Sequence, residues 1–249
     1  QLIHGDPSIP HRATIGGKIG FSLWIDDFSK MAFVQLINDK VEFRSHCQDI
    51  VRWVEKHTEY QVRCIRTDSN TEVFQSRLME DFLTTHKIQK QASTPYAQYQ
   101  NGKCERMMRT LLNMTRTALY QSGLKHEFWG EALCWAEYTW NRTSNSKLDG
   151  QTPYAIAMGK QIDYEFMKPF GCEAFTMIYP SKKRDKFSPV AQRCIFLGYE
   201  QEHKGYRLWD LHERAILVRA PRDTNFNMDS FPCNQQEENV EIIMNKEPR

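Results

Sequence analysis

The chain has 249 residues, of which 40% are hydrophobic and 26% are charged, and its net charge is +2. This composition is typical of a folded globular protein, and the length suffices for one large domain or for a medium and a small one. No run approaches the roughly 20 apolar residues that span a bilayer, so the sequence predicts no membrane partner. The seven cysteines include no C-x-x-C pair, which argues against a structural zinc site and favours reduced intracellular thiols.

The charge is unevenly distributed. Residues 166–222 carry a net charge of +5, and residues 223–249 carry −4. A basic middle and an acidic tail are compatible with a nucleic-acid partner. The first residue is Gln1 rather than Met, so we interpret the chain as a processed polypeptide or an excised fragment.

Two hydrophobic periods alternate along the first two thirds of the chain. After a short extended start, the pattern predicts strands at 18–26, 31–37, 62–68 and 88–94, and helices at 41–59, 72–86, 103–119, 126–141 and 153–158. The second helix is expected to bury Leu78, Phe82 and Leu83 on one face. The strand–helix–strand order around 41–59 predicts a crossover and a parallel pair.

The last third has a different pattern. From about residue 169, short alternating runs are separated by glycine and proline, which is typical of a small β barrel or sandwich. The final residues, rich in Gln, Glu and Asn, show no apolar pattern and predict a mobile tail. We therefore divide the chain into 1–165, 166–230 and a tail at 231–249.

Three acidic residues stand out by their predicted positions. Asp6 lies in the opening extended segment, Asp68 at the carboxyl end of a predicted strand, and Glu105 in the first turn of a long helix. Active sites of layered α/β sheets gather at such strand ends and helix starts. Carboxylate oxygens are the hard ligands that Mg²⁺ prefers, and two such ions are suited to phosphoryl transfer.

The residue types alone leave rival assignments open. Asp26 and Asp27 are alternatives to Asp6, although adjacent Asp residues also suit a hairpin turn. Glu72 is an alternative to Glu105, although an acid at a helix start has an ordinary structural explanation.

Several segments around and after these carboxylates have a distinctive sequence: HGDPSIP at 4–10, IDDFSK at 25–30, IRTDSNTEV at 65–73, STPYAQYQNGKCERMMRTL at 93–111, FWGEAL at 128–133, TPYAIAMG at 152–159, PFGCEAF at 169–175 and IFLGYEQEHKGYRLWD at 195–210. Together they resemble the integrase core of copia-type LTR retrotransposons. The 36 residues between Asp68 and Glu105 are close to the family's usual gap. The resemblance covers nearly the whole chain.

The resemblance implies an α/β fold with a ribonuclease H-like mixed sheet flanked by helices, followed by a small all-β SH3-like barrel. It implies that Asp6, Asp68 and Glu105 form the catalytic, metal-binding triad, and it gives Asp26 and Asp27 no metal role. It further implies a DNA integrase that joins DNA 3′ ends to target DNA with Mg²⁺ or Mn²⁺, two ions in all. Such enzymes act as multimers in the nucleus, so a homo-oligomer and a nuclear site of action are expected.

The match has departures. SNTEV follows Asp68, where the family usually has Asn-Gly-Gly-Glu and then an aromatic residue. Losing two glycines removes backbone freedom beside a catalytic residue. This departure keeps open an integrase-derived module that binds DNA or supports assembly without catalysis. A ribonuclease H-like nuclease that only hydrolyses also stays open, because the residues do not distinguish water from a 3′-hydroxyl as the nucleophile.

Three groups of residues are candidates for DNA contacts. On the predicted long helix, Arg109 lies one turn beyond Glu105, where it would hold a phosphate or form a surface ion pair. Arg106 lies beside it. The loop before this helix contributes Tyr99, Gln100 and Asn101. In the last third, Lys182, Lys183 and Arg184 form a basic loop suited to non-specific binding.

Overall fold

The computed structural model describes residues 1–9, 12–67, 76–92, 102–179, 187–200 and 203–234. The chain separates into two compact units. We call the first, Gln1–Asn113 with Ala136–Ile162, the α/β unit, and the second, Met114–Trp135 with Asp163–Arg249, the β unit. Within the described residues, no helix has the length and apolar character that a membrane span requires.

The α/β unit is built on a five-stranded mixed sheet in the order β3-β2-β1-β4-β5. Its strands are β1 Leu2–Ser8, β2 Gly20–Asp26, β3 Ala32–Ile37, β4 Cys64–Thr67 and β5 Gln89–Ala92. The predicted strands are thus confirmed, and the extended start proves to be the central strand. Every residue of β2 is buried, as expected for a strand covered on both faces.

The parallel pairing differs in one respect from the expectation. β4 pairs in parallel with β1, with Gly5 opposite Thr67, and with β5. The strand before the first long helix, β3, pairs only with β2 among the described strands, and antiparallel. The chain therefore passes over two strands before β4 joins the sheet, and local periodicity carries no signal for such long-range pairing.

Helix α1, Lys40–His57, covers one face of this sheet. It begins at Asp39, whose side chain accepts hydrogen bonds from the amides of Val41 and Glu42, an N-cap that satisfies orphan donors. Its predicted apolar stripe is confirmed, since all five of these side chains are buried: Phe43, Cys47, Ile50, Val51 and Val54. The phenylalanine, isoleucine and valine side chains among them each contribute roughly 1.5–3 kcal/mol of transfer free energy.

Helix α2, Arg77–Thr85, corrects one predicted core residue. Leu78 is 68% exposed, whereas Met79, Phe82 and Leu83 are buried. Both Leu78 and Met79 have spacings to Phe82 that suit a helix face. The buried face is therefore decided by the sheet that the helix covers, and the sequence alone did not distinguish the two.

Three further helices lie at or near their predicted bounds. They are α3 Gly102–Ser122, α4 Trp129–Arg142 and α5 Pro153–Met158. Within the α/β unit, buried Asn141 of α4 receives a hydrogen bond from the amide of Ala32 at 2.9 Å and donates one to its carbonyl at 2.8 Å. An amide side chain thereby pairs the outward backbone groups of Ala32, the first residue of β3, at an edge where such groups are otherwise unpaired.

The β unit contains a five-stranded antiparallel sheet in the order β10-β6-β7-β8-β9. Its strands are β6 Glu173–Met177, β7 Ala191–Tyr199, β8 Tyr206–Asp210, β9 Ala215–Arg219 and β10 Thr224–Asn227. A group of aromatic rings fills its core, with centroids 4.5–6.2 Å apart: Phe166, Phe196, Tyr199, Tyr206 and Phe226. The expected small all-β module is present.

Candidate active site of the α/β unit

Asp6 lies on β1, the central strand, opposite Leu23 of β2, and is half-buried. The preceding residue, Gly5, leaves room for the ring of Trp24, because a Cβ at Gly5 would lie 2.3 Å from that ring. Trp24 in turn stacks on Phe43 with centroids 4.8 Å apart. Asp6 is thus held on rigid, fully packed backbone, as a metal ligand requires.

Glu105 lies in the first turn of α3 and is exposed. Its neighbour Cys104 is fully buried. The pKa of the Cys104 thiol is raised by burial and further by the negative charges of Asp6 and Glu105. Asp6 on β1 and Glu105 on α3 both belong to the α/β unit, and the charges of both act on the same thiol.

Asp68, the third predicted ligand, lies outside the described residues. The residue before it, Thr67, ends β4 and pairs with Gly5, the residue before Asp6. Among the described residues, no cluster of three or more His, Cys, Asp or Glu side chains could hold a metal ion. The two carboxylates that are described, Asp6 and Glu105, are hard oxygen donors of the kind that suits Mg²⁺.

Some of the other predicted DNA contacts lie within the described residues, and some lie outside them. Arg106 and Arg109 are described, and both are exposed on α3. No ion pair joins Arg109 to Glu105 in the described part of the chain, so the alternative of a surface ion pair is not observed. The remaining candidates fall outside the described residues: Tyr99, Gln100, Asn101, Lys182, Lys183 and Arg184. The rival acid Glu72 lies outside them as well.

The rivals of Asp6 have structural partners of their own. Asp26 is 4% exposed, and its Oδ2 accepts hydrogen bonds from the amide and the hydroxyl of Ser29 at 2.8 and 2.7 Å. Asp26 therefore shapes the β2–β3 turn, as the adjacent-Asp interpretation expects. Asp27 Oδ1 accepts hydrogen bonds from Lys30 at 3.0 Å and Lys103 at 2.5 Å.

Asp27 remains a carboxylate in this setting. Burial acts to raise its pKa, but the hydrogen bonds and charges of Lys103 and Lys30 outweigh it, and the pKa lies below its usual value. Asp27 thus joins the β2–β3 turn to the first turn of α3 through an ion pair that it shares between two lysines.

His4 is a buried residue of β1 that the sequence did not single out. It is 0% exposed, and neither ring nitrogen has a hydrogen-bond partner within the described residues. Burial lowers its pKa to about 4. The negative charge of Asp27 acts to raise this pKa, and the positive charges of Lys103, Arg66 and Lys30 lower it further. His4 is therefore neutral at physiological pH. Only its position two residues before Asp6, on the same side of the strand, marked it in the sequence.

A cavity of about 410 Å³ opens beside the first turns of α3 within the α/β unit. We call it the basic cavity, and its lining residues are Ile25, Asp27, Lys30, Lys103, Arg106, Met107, Thr110, Trp140, Asn145 and Lys147. Four of these are cationic and one is acidic. Of the predicted site residues that the structure describes, Arg106 alone lines it.

Comparisons with known proteins agree with this architecture. The retroviral polymerase SH3-like domain family matches residues 172–239. The Retrovirus-related Pol polyprotein from transposon TNT 1-94 of Nicotiana tabacum is 32% identical over 218 residues, which cover 87% of this chain and 16% of that protein. The corresponding polyprotein from transposon RE2 of Arabidopsis thaliana is 24% identical over 212 residues, covering 85% of this chain and 14% of that protein. The chain thus spans about one sixth of the length of these relatives.

A solved structure shares the fold over most of the chain. It is the cryo-EM structure of the simian T-cell lymphotropic virus intasome in complex with PP2A regulatory subunit B56 gamma. One of its chains superposes with a TM-score of 0.51 at 15% sequence identity, over 90% of this chain and 77% of that chain. The expected fold class is confirmed: a mixed sheet flanked by helices, as in an integrase core, with a second, antiparallel sheet of the SH3-like kind.

Proposed function

We propose that this chain, a homologue of plant retrotransposon Pol polyproteins, is an integrase core that joins DNA 3′ ends to target DNA by transesterification. The observation that carries the proposal is the 32% identity over 218 residues with the tobacco polyprotein. The charges of Asp6 and Glu105 both act to raise the pKa of the Cys104 thiol, which supports a carboxylate site in the same fold.

The proposed chemistry needs three oxygen ligands on rigid elements. Asp6 on the central strand and Glu105 on α3 would hold Mg²⁺ or Mn²⁺ together with Asp68, the residue after Thr67. Two bound ions would activate the attacking oxygen and stabilise the leaving oxygen of a phosphodiester. In the joining step, a bond forms between the 3′ oxygen of the incoming end and the target phosphorus. The bond to the target's own 3′ oxygen breaks, and that oxygen leaves as a hydroxyl.

Arg109 has a proposed role in holding the DNA. It lies one turn from Glu105 on the same face of α3, is exposed, and has no ion pair with Glu105. A guanidinium in this position would bind a backbone phosphate and orient the scissile bond. Lys182, Lys183 and Arg184 remain predicted contacts of the β unit.

A strand-transfer assay tests the proposal. A labelled DNA end is incubated with a supercoiled plasmid in Mg²⁺ and in Mn²⁺, beside the Asp6→Asn variant. Label covalently joined to the plasmid, lost with chelator and in the variant, is the expected result. Plasmid nicking without joined label would indicate the hydrolysing nuclease, and DNA binding with neither product would indicate the non-catalytic module.

Metal binding has its own readout, independent of catalysis. A ligand that binds only the folded state raises the melting temperature, so Mn²⁺ should stabilise the wild type more than Asp6→Asn or Glu105→Gln. Equal shifts in all three proteins would argue against this carboxylate site.

Assembly and location follow from the proposed reaction. Two DNA ends must be held and joined to the target as a pair, so we expect a homo-oligomer, which light scattering of the purified chain would test. The target is chromosomal DNA, so nuclear action remains a prediction for microscopy of a tagged full-length protein.

A further inference from the structure

The basic cavity has an excess of positive charge. Among the described residues, its lining includes the cations Lys30, Lys103, Arg106 and Lys147 and one acid, Asp27. Asp27 neutralises one charge, so these described lining residues keep a net charge of +3. The volume of about 410 Å³ lies within the range of about 300–1,000 Å³ typical of ligand sites. Cations held this close repel one another unless an anion joins them.

Asp27 fixes two of these cations. Lys30 and Lys103 both donate to Asp27 Oδ1, and Lys30 also donates to the carbonyl of Asp27. The two ammonium groups come from the β2–β3 turn and from the first turn of α3. Their shared carboxylate holds them at one wall of the cavity before any ligand arrives, which lowers the entropy cost of binding.

Arg106 and Lys147 supply the remaining charge. Within the described residues, no ion pair joins either side chain to an acid. Arg106 Nη1 would lie 3.2 Å from a Cβ at Gly102, so its guanidinium leans back toward the start of α3, as side chains on helices do. The positive end of the helix dipole adds to the cationic field there.

The geometry points to a binding site for a backbone phosphate of DNA in the basic cavity, whose lining does not include Asp6 or Glu105. A phosphate would meet the guanidinium of Arg106 and the ammonium of Lys147, with Lys30 and Lys103 behind them. The attached sugar would face the apolar lining of Ile25, Met107 and Trp140. Asp27 is the positioning residue of this site.

The location on α3 favours DNA over another anion, and this step rests on the proposed function. Successive residues of a helix are rotated by about 100°, so Arg106 faces the flank next to that of Glu105. A strand that brings its phosphodiester to Glu105 and crosses the start of α3 therefore reaches the basic cavity. An acidic peptide has no comparable reason to approach this end of the helix.

The first test measures DNA affinity in chelator, so that it does not depend on joining activity. The double variant Arg106→Gln/Lys147→Gln is compared with Lys56→Gln/Lys160→Gln, which removes two exposed cations elsewhere in the α/β unit. Fluorescence anisotropy of a labelled duplex is recorded over a range of salt concentrations. Losing one phosphate contact lowers the slope of log K against log salt by about 0.9.

The expected result is a roughly ten-fold weaker affinity and a salt slope smaller by about one unit for the cavity variant alone. Its melting temperature should equal that of the wild type, because the replaced side chains are exposed. Equal losses in the cavity and control variants would overturn the proposal, since they would show only a general effect of net charge.

The second test locates the phosphate. Single backbone phosphates of a DNA end are replaced, one position at a time, by neutral methylphosphonates. If the cavity binds one phosphate, neutralising that phosphate weakens binding to the wild type but causes no further loss in the Arg106→Gln/Lys147→Gln variant. If neutralising the phosphate weakens DNA binding by the wild type and by the variant equally at every position, the assignment of the cavity to a DNA phosphate is wrong. Loss of polyglutamate binding by the variant, with unchanged DNA binding, would assign the cavity to an acidic peptide instead.

Discussion

In the β unit, Glu131 accepts two hydrogen bonds from Arg207, at 2.7 and 2.9 Å, and Glu200 accepts a third at 3.3 Å. In the α/β unit, Glu105 is exposed, and no ion pair to it occurs among the described residues. The carboxylates of Glu131 and Glu200 form ion pairs that stabilise the fold, and they raise the pKa of Arg207. The carboxylate of Glu105 remains accessible to a ligand. Glu131 and Glu105 each lie in the first turn of a helix, but Glu131 has a structural role, whereas Glu105 is a candidate for chemistry.

The largest stability effect is expected where a carboxylate has a structural partner. Replacing Arg207 by Ala leaves Glu131 and Glu200, which are 12% and 18% exposed, without their counter-charge. We expect a loss of roughly 3 kcal/mol in the free energy of unfolding, measured by urea denaturation. The control is Lys204→Ala. The side chains of Lys204 and Asp163 are 65% and 57% exposed, so their ion pair contributes about 1 kcal/mol or less. Similar losses in both variants would contradict the expectation that the Arg207 ion pairs stabilise the fold more than the exposed ion pair does.

A slightly smaller loss is expected at the strand that carries Asp6. A methyl group at Gly5 would collide with the buried ring of Trp24, so Gly5→Ala should cost about 1–3 kcal/mol. Gly16→Ala is the matched control, because the nearest atom to its Cβ, Thr14 Oγ1, lies at 3.8 Å. Thermal melting compares the two variants. An unchanged melting temperature in Gly5→Ala would show that the backbone around Asp6 is less constrained than described.

The pH dependence of the α/β unit provides a third test. Burial lowers the pKa of His46 from 6.5 to about 3, so as pH falls below 6.5 the unfolded chain binds a proton that the folded chain does not. The contribution of neutral His46 to the free energy of unfolding is fully present above pH 6.5. As the pH decreases from there toward 3, this contribution falls by about 1.4 kcal/mol per pH unit for one proton. His46→Gln should make this decline shallower by up to that amount in urea unfolding at several pH values. The same change at exposed His126 should leave the decline as in the wild type.

The smallest stability effect is expected at Glu105 itself. Glu105→Gln should change the free energy of unfolding by less than about 0.5 kcal/mol, because an exposed side chain is replaced by one of the same shape. Asp26→Asn is the contrast within the same unit. It replaces the buried carboxylate that accepts two bonds from Ser29 and should cost about 1–2 kcal/mol. A costly Glu105→Gln would make Glu105 a structural residue.

The strands and helices were largely predictable because their period is a local property. The stripe from Phe43 to Val54 and the start of α5 at Pro153 needed no information from elsewhere in the chain. The order of the strands depended on pairings such as Gly5 with Thr67, which no local pattern encodes. The choice of Met79 over Leu78 for the core likewise depended on the sheet beneath α2.

The candidate site was likewise only partly predictable from the sequence. Asp6 and Glu105 were chosen by sequence, from their element positions and the family resemblance. The basic cavity was not predicted, since it joins Asp27, Lys103 and Lys147, which lie far apart in the chain. For His4 the only signal was its position two residues before Asp6, because its burial follows from the central position of β1, which the sequence did not reveal.

The most direct test of the account measures strand transfer by the wild type, Glu105→Gln and Glu80→Gln, with labelled DNA ends in Mg²⁺ and Mn²⁺. Glu80 is an exposed acid on α2 and serves as the matched control. The account predicts that Glu105→Gln folds with wild-type stability and forms no joined product, whereas Glu80→Gln joins DNA like the wild type. Joining at the wild-type rate by Glu105→Gln would contradict the assignment of Glu105 to the catalytic site.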